Sequence, residues 1–456
     1  MSISTFTGLE TALRGLMAHQ QALDVTGENV ANASTPGYTR ETVSLAATPG
    51  LRTAPGVLLG TGVTVTGYER VRDTFLDVQL RAQTMLQGAA EATRDGLSQV
   101  EGVIAEPSDT GLGSLLDAYW GAWQDVANAP QDPATRQALV EAASSLADGF
   151  RGAASQLQTI QSQTAQAAQL TLQQANDDGA TLQSLNAAIF DAHAVGETPN
   201  DLLDRRDQVL DDLARLGSIA VTDNGDGTLT VTFDGVTLTA GKVGYTLSES
   251  GGTISNSKPV PETAAPSATT GKLGALLALR DVTIPSYRAS LDAIAAALIQ
   301  QTNALHAGGV GLDGSTGNPF FAGTDAATIA VAVTPAQVAA AAPPGAPGDN
   351  ANALALAGVR NLPVASLGNA TVGGAYAQLV TTIGTDAQAS RRASENAAVL
   401  VDSLSNRRDS VSSVSLDEEM TNLVRFQHGY QASARALSAM DDVIELLITR
   451  TGRVGL

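Results

Sequence analysis

Leu416-Asp417-Glu418-Glu419-Met420-Thr421-Asn422-Leu423-Val424-Arg425-Phe426-Gln427-His428-Gly429-Tyr430-Gln431-Ala432-Ser433-Ala434-Arg435-Ala436-Leu437 opens a run in which Leu416, Leu423, Tyr430, Leu437 and Ile444 stand seven residues apart. Three residues after each come Glu419, Phe426, Ser433, Met440 and Leu447, three of them apolar. Such spacing over four heptads predicts a helix with a coiled-coil seam. At about 1.5 Å per residue it extends roughly 50 Å, more than a small domain can cover. The N-terminus carries a matching series, Leu9, Leu16, Leu23 and Val30, with the smaller or polar Ala12, His19 and Thr26 at its second positions. The two ends are therefore expected to pack on each other. Two amphipathic helices of an ordinary bundle meet the same periodicity equally well.

Inward from the first helix, Asn32-Ala33-Ser34-Thr35-Pro36-Gly37-Tyr38 reads as a stop: proline disfavours helix for the residue before it, and Pro-Gly marks a turn. Residues 42–68 alternate at the strand period. From about 70 to 195 the chain reads as helix, with breaks at Glu106-Pro107-Ser108-Asp109 and Ala129-Pro130-Gln131-Asp132-Pro133. A short helix is expected from Asp201 to Leu216. Strands follow at Ile219–Thr222, Thr228–Phe233 and Val236–Leu238, around the turns Asp223-Asn224-Gly225-Asp226-Gly227 and Asp234-Gly235. Residues 250–270 read as a linker, 272–305 as helix, and 307–368 as a Gly- and Pro-rich segment. From about 371 to 450 the chain is helical again, interrupted near Arg408 to Ser415.

The order predicts a mainly α fold with a β-rich insertion: paired terminal helices, a long helical bundle domain and a small outer β domain. The expected division is 1–40 with 412–456 as a terminal coiled-coil domain, disordered in the monomer. The bundle takes 41–200 with 271–411, and the outer β-rich domain 201–270.

The 456 residues suffice for about three domains. A formal net charge of -20, with lysine only at 242, 258 and 272, argues against nucleic acid and against an anionic membrane surface. There is no cysteine, so disulfides and thiolate metal sites are excluded. The four histidines lack ligand spacing, and no cofactor is expected. The first residues lack a basic region followed by an apolar stretch, and no window is apolar enough to cross a membrane. Asp223 to Gly227 puts glycine at the third and fifth positions of a calcium-loop template, so a hairpin turn is the better reading. Asp204 and Asp207 share a helical face, beside Arg205 and Arg206, and read as a solvated salt-bridged face. No motif of a hydrolase, nucleotide-binding loop or zinc protease occurs, so enzyme activity is not expected.

Asn29-Val30-Ala31-Asn32-Ala33-Ser34-Thr35-Pro36-Gly37-Tyr38 resembles the N-terminal signature of the flagellar axial family of rod, hook and hook-associated proteins. Leu416 to Arg435 resembles its C-terminal counterpart, and Leu-Asp-Glu-Glu with Tyr-Gln-Ala-Ser-Ala-Arg is similar to the hook–filament junction members. Pro199 to Asp207, Thr239-Ala240-Gly241 and Gly271 to Asp281 fit the same members. The resemblance implies a structural subunit, exported through the flagellar type III apparatus and assembled as a ring at the hook tip. Its partners would be further copies of itself, the hook protein below and a second junction protein or the filament above. Before export a chaperone would cover the C-terminal helix.

In the ring, Leu9, Leu16, Leu23 and Val30 would meet Leu416, Leu423, Tyr430 and Leu437 in an inner tube, flanked by Phe426 and Ile444. Asn29, Asn32, Pro36, Gly37 and Tyr38 would set the angle of the inner helix, or simply stop it. Gln427 reads as an interfacial amide, and Asp417 to Glu419 as a charge cluster favoured by the helix dipole. The alternatives are another axial protein (hook subunit or second junction protein), a secreted coiled-coil effector, or a muralytic enzyme.

Overall fold

The computed structural model of the protein describes residues 6–54, 57–104, 106 and 108–451; Pro107, in the expected break, and the first five residues, at the end where the resemblance would put an export signal, lie outside them. Helix α1 (Phe6–Asn32) leads into β1 (Glu41–Ala47), the small hairpin β2 (Leu51–Ala54) and β3 (Val57–Leu59), and β4 (Val63–Arg70). Strands β1 and β4 pair antiparallel, with a bulge between Ser44 and Leu45, and lie against α1.

Three long helices then build the body: α2 (Thr74–Ile104), α3 (Leu112–Asn128) and α4 (Pro133–Ala194). The Asp73 carboxylate accepts the Phe75 N–H at 2.9 Å and starts α2. Asp132 caps α4 the same way through the Ala134 N–H at 2.9 Å, and Pro133 supplies a first-turn position where no N–H is needed. With 62 residues rich in Ala, Gln and Leu, α4 runs about 90 Å. Helix α5 (Asn200–Leu216) folds back on it.

Strands β5 (Ile219–Asp223), β6 (Leu229–Phe233), β7 (Val236–Ala240) and β8 (Val243–Gly244) form one antiparallel sheet. The turn at Asp223 to Gly227 is a hairpin connection, with Gly225 and Gly227 at positive φ. Strands β9 (Leu247–Ser250), β10 (Thr253–Asn256) and β11 (Thr263–Ala264) form a second sheet. The expected linker at 250–270 is thus partly sheet. Its only strongly apolar strand residue, Ile254, is fully buried, and the Asn256 amide bonds the Thr237 carbonyl at 2.9 Å and the Glu262 backbone. The strand buries Ile254 and Asn256 in alternation, but one apolar residue leaves no hydrophobic alternation for a pattern to detect.

Helix α6 (Lys272–Ala278) passes through a π turn, Leu279–Thr283, into α7 (Ile284–His306). The π turn interrupts the single helix expected here and sits beside Pro285, which has no N–H for the helical ladder. Residues 307–368 fold into β12 (Phe321–Ala322), β13 (Ala330–Val331), short 3-10 turns and α8 (Ala351–Gly358). Two helices finish the chain, α9 (Val372–Ser412) and α10 (Leu416–Thr451). α9 runs antiparallel to α2, held by Glu106 to Tyr376 at 3.0 Å, Glu101 to Arg391 at 3.0 Å and Arg94 to Ser394 at 3.0 Å.

Two hydrophobic cores follow one another along α4. The first half of α4 packs with α3, α7 and the 307–368 segment around the fully buried Tyr119, Trp123, Phe150, Phe320 and Phe321. The second half packs with α5, α6 and the β5–β10 strands. Two α4 asparagines register the sheets: Asn176 exchanges both backbone bonds with Leu247, at 3.0 and 2.7 Å, and Asn186 does so with Leu229, at 2.9 and 3.3 Å. Each satisfies a strand edge that would otherwise be buried with open polar groups.

Asp234, in the turn from β6 to β7, is buried at φ 45°. One carboxylate oxygen accepts the Ser218 N–H at 2.8 Å and the other has no partner. Burial pushes its pKa up to about 7. Because the folded value lies above the unfolded one, stability is full below about pH 4 and is lost as pH rises toward 7. Asp234→Asn is expected to remove up to about 4 kcal/mol of that slope, asparagine being tolerated at positive φ. Thermal unfolding at pH 4.5 and pH 8 tests it: an equal melting difference between variant and wild type at both values would refute it.

Candidate assembly site

Helices α1 and α10 lie side by side and run antiparallel: Gly8 faces Met440, Gly15 faces Ser433, His19 faces Gly429, and Asn29 bonds Glu419. The direction follows from the body, since α1 runs into it and α10 runs out from the same end. There the Arg40 N–H donates to the Ser412 carbonyl at 2.9 Å.

The tightest part of the seam is made of small and polar residues. Ala18, Ala22, Thr26 and Asn29 are the buried positions of α1, while Leu9, Leu16, Leu23 and Val30 are half-buried. On α10, Leu423, Phe426, Tyr430, Leu437 and Ile444 are half-buried, and among the described side chains Glu419 is the one buried residue. Leu416 is 53 % exposed and Gln427 is exposed. A Cβ at position 429 would come within 2.6 Å of the His19 ring, so any larger residue there would have to push that ring aside. The His19 ring in turn lies 6.4 Å from that of Phe426.

The turn after α1 is organised by Asn29, which is 1 % exposed. Its amide nitrogen donates to the Glu41 carbonyl at 2.9 Å and to the Glu419 carboxylate at 3.2 Å. Its oxygen accepts the Glu41 N–H at 2.9 Å and the Tyr38 hydroxyl at 3.0 Å. All four hydrogen-bonding positions of the amide are filled. Burial, followed by Glu41 and Glu28, pushes the Tyr38 hydroxyl far above its ordinary pKa, so it remains a donor. Asn32 closes the helix locally, donating to the Glu28 carbonyl at 3.1 Å and accepting the Thr35 hydroxyl at 3.1 Å. Pro36 is exposed, and Gly37 takes φ 76°, which favours glycine.

Two readings of the acidic residues change. Glu419 is not a dipole-favoured surface charge but a buried partner of Asn29, whereas Glu418 is exposed and pairs with Arg40. Asp204 and Asp207 are not a solvated face. Their partners are not the neighbouring Arg205 and Arg206 but Arg70, Arg72 and Arg81, more than a hundred residues earlier in the chain.

Around the seam, Met17, Leu416, Met420, Val424, Val443 and Ile448 stay exposed on the two helices. Among the described residues no acidic or histidine cluster could hold a metal, and no helix is long and apolar enough to cross a membrane.

Paired terminal helices, a motif at each end joined through one buried amide and a body threaded between them describe a structural subunit whose two ends form one helical pair. A profile of the flagella basal body rod protein matches residues 9–39, and one of the flagellar basal body rod FlgEFG protein C-terminal region matches 408–450. The profile of the flagellar hook-associated protein FlgK helical domain matches residues 97–321. Flagellar hook-associated protein 1 of Bacillus subtilis is 32 % identical, covering 98 % of this chain and 99 % of that protein. The Escherichia coli protein of the same name is 26 % identical over 96 % of this chain and 99 % of its own. The solved structure of the flagellar hook junction protein FlgK from Burkholderia pseudomallei shares the fold, with a TM-score of 0.67 and 18 % identity, over 73 % of this chain and all of that one. The chain belongs to the flagellar hook-associated protein 1 family.

Proposed function

We infer that this chain is a structural subunit of the bacterial flagellum, forming the junction between hook and filament in the extracellular part of the organelle. The observation that carries the reading is the Asn29 hub, where both terminal motifs meet in one hydrogen-bond network. That network ties both ends of the chain together at the base of one helical pair. The full-length likeness to hook-associated protein 1 selects the junction among axial roles.

Assembly proceeds as a ring of copies at the hook tip after type III export, with the hook protein below and a second junction protein or filament above. The apolar residues left exposed on α1 and α10 are what neighbouring subunits would cover. Before assembly an export chaperone would cover the same face of α10. Without neighbours the terminal helices are under-buried, so in the isolated monomer they are expected to be open to protease while the body resists. Protected termini in monomer would count against that.

A deletion strain tests the function. It is expected to make hooks of normal form with no filament and to shed flagellin into the medium. Loss of the hook itself would show a hook subunit instead.

A further inference from the structure

Helix α5 carries Asp204, Asp207, Gln208 and Asp211 on one face. Four guanidinium groups from outside α5 converge on it. Arg70, at the end of β4, reaches Asp204 at 2.7 Å and Asp207 at 2.9 Å. Arg72 joins Asp207 and holds Asp77 through two bonds, at 3.0 and 2.8 Å. Arg81 on α2 reaches Asp207 at 3.1 Å and Asp211 at 2.7 Å. Arg408, near the end of α9, reaches Asp211 at 2.6 Å. Four carboxylates thus face four guanidinium groups, with side chains between 8 % and 28 % exposed. Burial alone would raise the Asp207 carboxyl, but Arg72, Arg70 and Arg81 outweigh it and hold it below the usual range.

Both passages of the chain between body and terminal helices cross this cluster. On the outgoing side the Thr39 N–H donates to Asp204 at 2.9 Å, and the Gln208 amide donates to the Pro36 carbonyl at 2.6 Å. A Cβ on Gly37 would collide with the Gln208 side chain at 1.5 Å, so the turn is pressed onto α5. On the returning side Arg408 ties α9 to Asp211, four residues before Ser412 accepts the Arg40 N–H.

We propose that the acidic face of α5 is the positioning element of the terminal rod: it clamps residues 36–40 and 408–412 to the body, so that α1 and α10 leave in one fixed direction. Energetics favour this over a purely stabilising role. Desolvation of the partly buried charges offsets much of their attraction, so the cluster's net contribution to stability is modest, and its bonds to residues 36–40 and 408 carry the positioning role.

Hydrogen exchange on the purified full-length protein tests the clamp. In wild type, the amides of 38–41 and 408–414 are expected to be protected. Arg408→Gln should speed exchange at 408–414 at least ten-fold, with the body melting within a few degrees of wild type. Arg408→Lys, which keeps the single ion pair, should restore most of the protection. Asp204→Ala should do at 38–41 what Arg408→Gln does at 408–414. Free exchange in wild type, unchanged exchange in both loss variants, or a rise spread evenly through α4 and β5–β7 would each overturn the proposal. This measurement does not depend on the junction reading. In cells, where it does, Arg408→Gln should lower filament attachment with normal amounts of exported protein.

Discussion

Cells carrying Asn29→Ala are expected to build hooks that hold no filament, although the variant protein is made and its body folds. The buried amide satisfies both backbone groups of Glu41, the Tyr38 hydroxyl and the Glu419 carboxylate; the last bond is buried and the other three are partly buried. Alanine leaves those partners unsatisfied and frees α10 from the base of α1. Losing such a hub costs about 3 kcal/mol per subunit, counting one to three for each stranded group less what water recovers. Each copy in the ring suffers the same loss, so the assembly amplifies it. The measurement is electron microscopy of the mutant strain with calorimetry of the purified variant. Normal filaments would sink the assignment, and so would collapse of the main melting transition, because Asn29 touches neither core.

Leu423→Glu is expected to have an effect of similar size by a different route. Leu423 lies half-buried on the α10 seam, next to the Asn422 and Phe426 positions that also turn inward. A carboxylate there must either be desolvated or force the helices apart, at roughly 2–3 kcal/mol. Tyr430→Glu should behave alike, one heptad further on. Both variants are expected to abolish filament attachment while α2 to α9 melt as in wild type. An unfolded body in either would show that these positions belong to a core rather than to the rod.

Part of this molecule is legible from local pattern. That α1 and α10 are helices emerges from the sequence because an apolar residue returns every seven positions, whereas the buried α1 positions Ala18, Ala22, Thr26 and Asn29 lie off the Leu9–Val30 series. The breaks at Pro36-Gly37 and Asp132-Pro133 emerge because proline and glycine act on their own backbone. The β5–β6 hairpin is legible for the same reason, from its glycines at positive φ. The 307–368 segment is not: it is rich in Gly and Pro, yet it places Phe320 and Phe321 in the aromatic core beside Trp123. Asn303 holds that strand by exchanging both backbone bonds with Phe321 at 2.8 Å. Asparagine plays the same part at positions 29, 176 and 186, and no spacing announces it, since each works on a strand distant in sequence or around a turn.

Alone, the sequence determined that the termini are amphipathic helices, where the first of them stops, and that the family is the flagellar axial one. Tertiary structure alone decided the antiparallel sense of the seam. A heptad repeat reads the same in both directions, and the sense came from both helices joining the body at one end. It also decided that Asp204 and Asp207 answer to Arg70, Arg72 and Arg81 rather than to their neighbours. Adjacent residues on a helix point to different faces, so Arg206 turns away to cap the Gly227 carbonyl. The charges that lock a fold are chosen by what folding brings near, and here the partners of the α5 carboxylates lie 126 to 197 residues away.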